Sequence, residues 1–337
     1  MTTILQLAGL PDNDTIVLET TDETGQRRFL DLNWVSPLLE PLEPQRFRHL
    51  KLLYGGAENP INVNIRPDVV YNGISDPERC LKALARARHA AASNPYPFIN
   101  PPGNIPRIRR DRLYETVAAL SGISMPKTLR LTPHSLREVM QAIETGGLKM
   151  PIVFKEAAAE PEHPNNYLFE SPDDAHALER FAFDGRAYYA SEFVDYRGKD
   201  GLYRRYRFFV IGNTILPGHL IISDQWHIRN DAEAHAGLHS DIRVVLQEEK
   251  AFLKQFQKKK FPVLKLLKKQ LGLDYFAIEC ALNNKGEILL FNVSCDAHYA
   301  DGVKMQGYYD AKDAARFNEA VQTMLLAKCT PKGTPLV

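Results

Sequence analysis

Apolar positions along the chain fall into short runs broken by polar turns, and these runs set the expected elements. Lys51–Tyr54 and Asp68–Tyr71 are β-rich or apolar stretches bounded by Gly, Asn, Asp or Pro, as is Thr15–Thr21, and all three read as strands. Asp76-Pro77-Glu78 then opens an Ala-, Leu- and Arg-rich stretch to about Ala92, with the residue types of a helix start. Arg109–Leu120 is helical by pattern. Gly122-Ile123-Ser124-Met125-Pro126 stops it and leads into a strand. Thr132-Pro133 is expected to cap and open a helix through Ile143. Pro151–Lys155 reads as a strand and Asp173–Phe183 as a helix behind Ser171-Pro172. Further strands are expected at Ala187–Val194, Tyr203–Ile211 and Thr214–Ile222. Asp241–Leu271 is mostly helical with a break at Pro262. Asp274–Leu282 and Glu287–Val293 form a hairpin through Asn283-Asn284-Lys285-Gly286, and Asp310–Leu326 is a closing helix.

Five prolines between Asn94 and Pro106 fix φ and remove donors, so this stretch is expected to be an extended connector. The first domain boundary is placed there. The expected division is 1–100, 101–190 and 191–337, a small α/β unit followed by two lobes. The overall class is α/β, or α+β, with antiparallel sheets in the lobes.

Composition narrows the partners. The 42 Lys+Arg against 41 Asp+Glu leave a net charge of +1, which argues against a dedicated nucleic-acid binder. The Lys258-Lys259-Lys260 and Lys268-Lys269 clusters, interleaved with Phe, Leu and Val, read as the wet face of a helix. No window approaches 18 uninterrupted apolar residues, so no membrane partner is expected. The start, Met1-Thr2-Thr3-Ile4, lacks a basic and apolar leader pattern, and a cytoplasmic location is the expectation. Cys80, Cys280, Cys295 and Cys329 have no metal-finger spacing and read as free thiols.

The candidate chemistry lies in ordered pieces. Asp68-Val69-Val70-Tyr71-Asn72-Gly73 and Asn100-Pro101-Pro102-Gly103-Asn104-Ile105 are followed by Arg110-Asp111-Arg112 at a helix start. Pro151-Ile152-Val153-Phe154-Lys155 ends an apolar strand on an ammonium, which needs an anionic partner if buried. Ser191-Glu192-Phe193-Val194-Asp195 comes next. In Tyr203–Gly212, strand alternation places Arg205 and Arg207 on one face and Arg204, Tyr206 and Phe208 on the other. Two guanidiniums on one face need anions, either acidic neighbours or a phosphate and a carboxylate. His219, Ser223, Asp224, Trp226 and His227 follow, then Glu279 on one strand and Asn292 and Ser294 on the next.

Over roughly residues 68–300 this order resembles the ATP-grasp superfamily, in particular ligases of the glutathione synthetase and ribosomal-protein S6 modification type. It is closer still to the ATP-grasp-like segments of bacterial tetratricopeptide proteins. The resemblance implies two lobes whose antiparallel sheets clamp ATP. Arg112 and Lys155 would then contact phosphates, and Val194 with Glu192 or Asp195 would meet the adenosine. Arg205 and Arg207 would stabilise the transferred phosphoryl group, Glu279 and Asn292 would hold Mg2+, and His219, Ser223, Asp224, Trp226 and His227 would shape an acceptor pocket.

Two features depart from that pattern. The loop Glu156–Asn166 has no glycine and three glutamates, leaving His163 or Asn165 as substitute donors, and Asn292 and Ser294 stand where Glu and Asn are expected. The resemblance implies an ATP-dependent carboxylate–amine ligase acting through an acyl phosphate, on small-molecule or peptide carboxylates and amines, in natural-product or peptide modification. The alternatives are a degenerate module that binds nucleotide or peptide without turnover, and a small-molecule kinase on the same fold. A homodimer is the default expectation.

Overall fold

The computed structural model describes residues 1–13, 37–39, 42–55, 65–93, 95–159, 166–227, 242–256, 261–283, 285–297 and 311–329. The expected strand Thr15–Thr21, the Lys258-Lys259-Lys260 cluster, Asn284 of the hairpin turn, and His163 and Asn165 lie outside them.

A four-stranded parallel sheet comes first. It is built from β1 (Thr2–Gly9), β2 (Phe47–Tyr54), β3 (Val69–Asn72) and β4 (Phe98–Ile99), in the order β2-β1-β3-β4. Strand β1 was not expected from the sequence. Gln6 interrupts its apolar run, yet it is buried and accepts a 2.6 Å contact from the ring of His49 on β2. Helix α1 (Leu81–Ala92) covers the sheet with Ala83, Leu84 and Ala87. It begins later than expected, because Asp76 Oδ1 accepts the N–H groups of Glu78 and Arg79 and closes a separate turn.

The proline-rich stretch is not simply extended. Pro102–Ile108 winds into 3-10 turns that bury Ile105 and Ile108. Asn100 adopts φ 53°, a left-handed conformation that Asn tolerates better than most residues. Its buried amide accepts from the N–H groups of Asp274 and Tyr275 and donates to the carbonyl of Tyr275 at 2.7 Å.

Helix α2 (Arg110–Ala118) and the short β5 (Ile123–Ser124) lead to the central sheet. Its strands β6 (Thr128–Leu131), β7 (Ile152–Glu156), β8 (Asn166–Phe169) and β9 (Tyr188–Glu192) run antiparallel in the order β6-β9-β7-β8. Helix α3 (Leu136–Thr145) packs on it. Its cap is Ser135, whose hydroxyl accepts Glu138 N–H at 3.2 Å, rather than Thr132. The expected helix at Asp173–Phe183 is instead a run of 3-10 turns over Pro172–Arg180.

The C-terminal sheet contains β10 (Tyr203–Ile211), β11 (Thr214–Ser223), β12 (Tyr275–Leu282) and β13 (Ile288–Ser294), in the order β11-β10-β12-β13-β5. Its neighbours are antiparallel except β13 and β5. Helices α4 (Ile242–Phe256) and α5 (Pro262–Leu271) follow β11, and α6 (Ala311–Lys328) closes the described chain. Tyr206 and Phe208 pack on Phe252 and Phe256 of α4. This leaves the opposite face of β10 for Arg205 and Arg207.

Candidate functional site

A cleft of about 270 Å³ opens between the central and C-terminal sheets. Val153 and Lys155 of β7 and Ser191 and Glu192 of β9 line one side. Arg205 of β10, Glu279 of β12, and Phe291 and Asn292 of β13 line the other. Phe193, Val194 and Tyr196 come from the segment that joins the lobes, and Arg110 enters from the first turn of α2.

Lys155 and Arg110 form the cationic part of this lining. Burial lowers the Lys155 pKa well below the ordinary amine value, and the Arg110 charge lowers it further, while Asp76 and Glu78 oppose the shift. Burial also lowers Arg110. Neither side chain has an ion-pair partner among the described residues. Two half-buried cations side by side are costly unless an anion joins them.

Arg112 lies elsewhere, contrary to the expectation. Its side chain is 61% exposed and pairs with Glu115 at 3.3 Å. Positions two apart on a helix differ by about 200° in direction, so the turn that aims Arg110 into the cleft aims Arg112 out. Only the helix phase distinguishes the two arginines.

Strand register assembles a second group. Arg207 stands opposite Glu279, and Glu279 stands opposite Asn292, in one row across β10, β12 and β13. Arg207 Nε donates to Glu279 Oε1, and Arg205 Nε lies 3.4 Å from Oε2. Burial alone would raise the Glu279 pKa. Arg207, then His219 and Arg205, outweigh burial and hold it well below the usual carboxylate range. His219, only 3% exposed, sits behind this pair with Nε2 3.9 Å from Glu279. Burial first, and then Arg207, pull its pKa down to about 4, so the ring is neutral at pH 7. Gly218 makes room for the arrangement, because a Cβ there would stand 2.9 Å from Arg207 Cγ and from Phe209.

The other expected residues divide. Glu192 lines the cleft and accepts Lys149 N–H at 2.9 Å, and Val194 lines it too. Asp195 does not. It is bonded to Arg197 Nε at 3.0 Å and faces a separate open depression with Asp200, Arg204 and Glu248. Ser223 is buried and accepts Gln225 N–H, and neither it nor Asp224 lines the cleft. Trp226 and His227 do line it. Trp226 meets Phe193 edge-on, and Asn166 Nδ2 contacts His227 Nε2 at 2.6 Å, which ties β8 to the segment after β11. Arg110, Tyr196, Phe291 and Asn166 were not singled out in the sequence. An arginine at the start of a helix was the only available signal, and it pointed equally to Arg112.

The donors do not fit a resident magnesium ion. Mg2+ prefers oxygen ligands and is usually held through one or two carboxylates. Here the Glu279 carboxylate is engaged by two guanidiniums and Asn292 offers a neutral amide. Among the described residues no cluster of three or more His, Cys, Asp and Glu side chains is placed to hold a metal. In this structure Glu279 is the counter-ion of Arg205 and Arg207, and Asn292 stands across the ladder from it.

No protein-family model matches the chain, and no curated protein matches it in sequence. Solved structures do match. The VanG D-Ala:D-Ser ligase from Enterococcus faecalis is 13% identical, with 96% of this chain and 98% of that chain covered and a TM-score of 0.54. The D-alanine–D-alanine ligase from Bacillus anthracis complexed with ATP is 10% identical, over 97% and 96% of the two chains, with a TM-score of 0.50. The macrocyclase MdnC bound with precursor peptide MdnA from Microcystis aeruginosa is 14% identical over 97% and 100%, also at 0.50. With near-complete coverage in every case, and with two antiparallel sheets facing each other across one cleft, the chain has the ATP-grasp fold.

Proposed function

We propose that the protein is an ATP-dependent ligase that joins a carboxylate to an amine. The carrying observation is a pair of cations, Lys155 and Arg110, without an ion-pair partner among the described residues, in a cleft that also has an apolar lining of Met125, Val153, Phe193, Val194 and Phe291. A flat base fits the apolar part, and phosphates supply the anions that the two cations lack. The same-fold D-alanine–D-alanine ligase holds ATP.

In this reading Lys155 and Arg110 orient the phosphates, and Val194 and Glu192 border the adenosine. Arg205 and Arg207 offset charge on the phosphoryl group as it passes to the carboxylate oxygen and ADP leaves. Such transfer depends mainly on positioning and electrostatics. The amine then attacks the acyl carbon and phosphate departs. Trp226 and His227, with Asn166, shape the acceptor side. A peptide acceptor is part of the proposal, supported by the peptide-bound macrocyclase of the same fold. The division into units 1–100, 101–190 and 191–337 belongs to it too, with the parallel sheet in the first unit.

Calorimetric titration with ATP tests the nucleotide step, and phosphate release with paired amino acids and peptides tests turnover. Saturable binding that is lost in Lys155→Met supports the proposal, and absence of binding overturns it. The Arg207–Glu279 pair favours one second reading, a module that holds nucleotide without turnover. In that case binding occurs and phosphate release does not.

A further inference from the structure

Triphosphate can be neutralised by a divalent cation or by the protein's own cations. Arg110, Lys155 and Arg205 line the cleft, and Arg207 stands beside them on the Arg205 face of β10. Two carboxylates appear in the same described lining. Glu192 accepts the Lys149 N–H, and Glu279 lies against Arg207 and Arg205. Across the ladder from Glu279, Asn292 brings an oxygen without a charge. A cation placed on Glu279 would meet two guanidiniums on the same carboxylate.

We infer that this cleft takes the phosphates of its nucleotide on side-chain cations alone, so that ATP binding does not depend on a divalent cation. The inference rests on the nucleotide reading above. Glu279 is then a placeholder anion. It keeps Arg205 and Arg207 on the cleft face until phosphate arrives, and the guanidiniums, with five donors each, turn from carboxylate to phosphate oxygens.

The test is calorimetric titration of the full chain with ATP, in magnesium chloride and again in EDTA. The expected result is the same affinity within about threefold, or tighter binding in EDTA. Affinity that falls about tenfold or more in EDTA overturns the inference and leaves the nucleotide reading standing. No binding in either condition removes both.

Asn292→Ala keeps the test independent of folding, since its side chain is not part of the buried core. It is expected to leave the ratio of the affinities in the two solutions unchanged, whereas a metal ligand there would lose affinity only with magnesium present. Glu279→Gln, checked for folding by thermal melting, is expected to bind ATP in EDTA at least as tightly as the parent. Weaker binding confined to magnesium would identify Glu279 as a metal ligand and overturn the inference.

Discussion

Arg207 and Glu279 face each other across the β10–β12 ladder, guanidinium Nε on carboxylate oxygen. Register makes this contact, since neighbouring positions on antiparallel strands hold their side chains within reach of one another. Gly218 on β11 provides the space for the Arg207 stem.

Gly218→Ala is therefore expected to displace Arg207. Overpacking of this kind costs about 1–3 kcal/mol, and chemical denaturation would read it. ATP affinity should fall with it if Arg207 contacts phosphate.

Lys155→Met should act in opposite directions on binding and stability. Removing a half-buried ammonium that has no ion-pair partner among the described residues relieves a desolvation cost, so the melting temperature is expected to hold or rise while ATP affinity falls about tenfold or more. Arg112→Ala is the control. Its exposed pair with Glu115 is worth at most about 1 kcal/mol, and ATP affinity should not change.

Glu78 lies between the parallel and central sheets. It accepts from Arg130 at 2.9 Å and Tyr189 at 2.5 Å, and lies 3.3 Å from Arg109. Glu78→Ala leaves both guanidiniums without this partner and is expected to destabilise the fold by about 3 kcal/mol, seen as a lower denaturation midpoint.

His219 gives a pH signature. Its folded pKa of about 4 lies below the ordinary 6.5, so the unfolded chain binds the proton first as pH falls. Its contribution is complete above pH 6.5, declines by up to about 1.4 kcal/mol per pH unit below that, and levels off under about pH 4. Glu279, also depressed, adds a loss only below the ordinary carboxylate range. Denaturation curves between pH 7 and 5 should show the decline, and His219→Gln should flatten it.

Strand patterning carried much of this fold. The alternation in Tyr203–Ile211 already separates Arg205 and Arg207 from Tyr206 and Phe208, and Lys155 at the end of an apolar run marks the cleft. Arg110 was hidden because two arginines in one helical turn differ only in phase. Glu78 was hidden because its partners lie at positions 109, 130 and 189, and such distant contacts leave no local pattern. Asp195 looked like a ligand of the hinge until Arg197, two residues on, was seen to hold it. At Thr132 the stronger cap three residues later won, because the Ser135 hydroxyl accepts Glu138 N–H while the Glu138 carboxylate accepts His134 N–H.

The apolar cores are shared unevenly. Leu5, Leu7 and Val70 of the parallel sheet pack in one core with Phe276 and Ile278 of β12, and Ile4 and Val69 share another with Phe209 and Phe317. Asn100 stitches the connector to β12. The central sheet instead has a core of its own, from Val139 and Ile143 to Tyr188 and Ala190. Its ties to the parallel sheet include Glu78–Arg130, Glu78–Tyr189 and the Arg79 bond to the Ala159 carbonyl, all polar. The first and last sheets thus form one body through shared apolar cores, while the central sheet closes its own core and meets the parallel sheet through polar contacts.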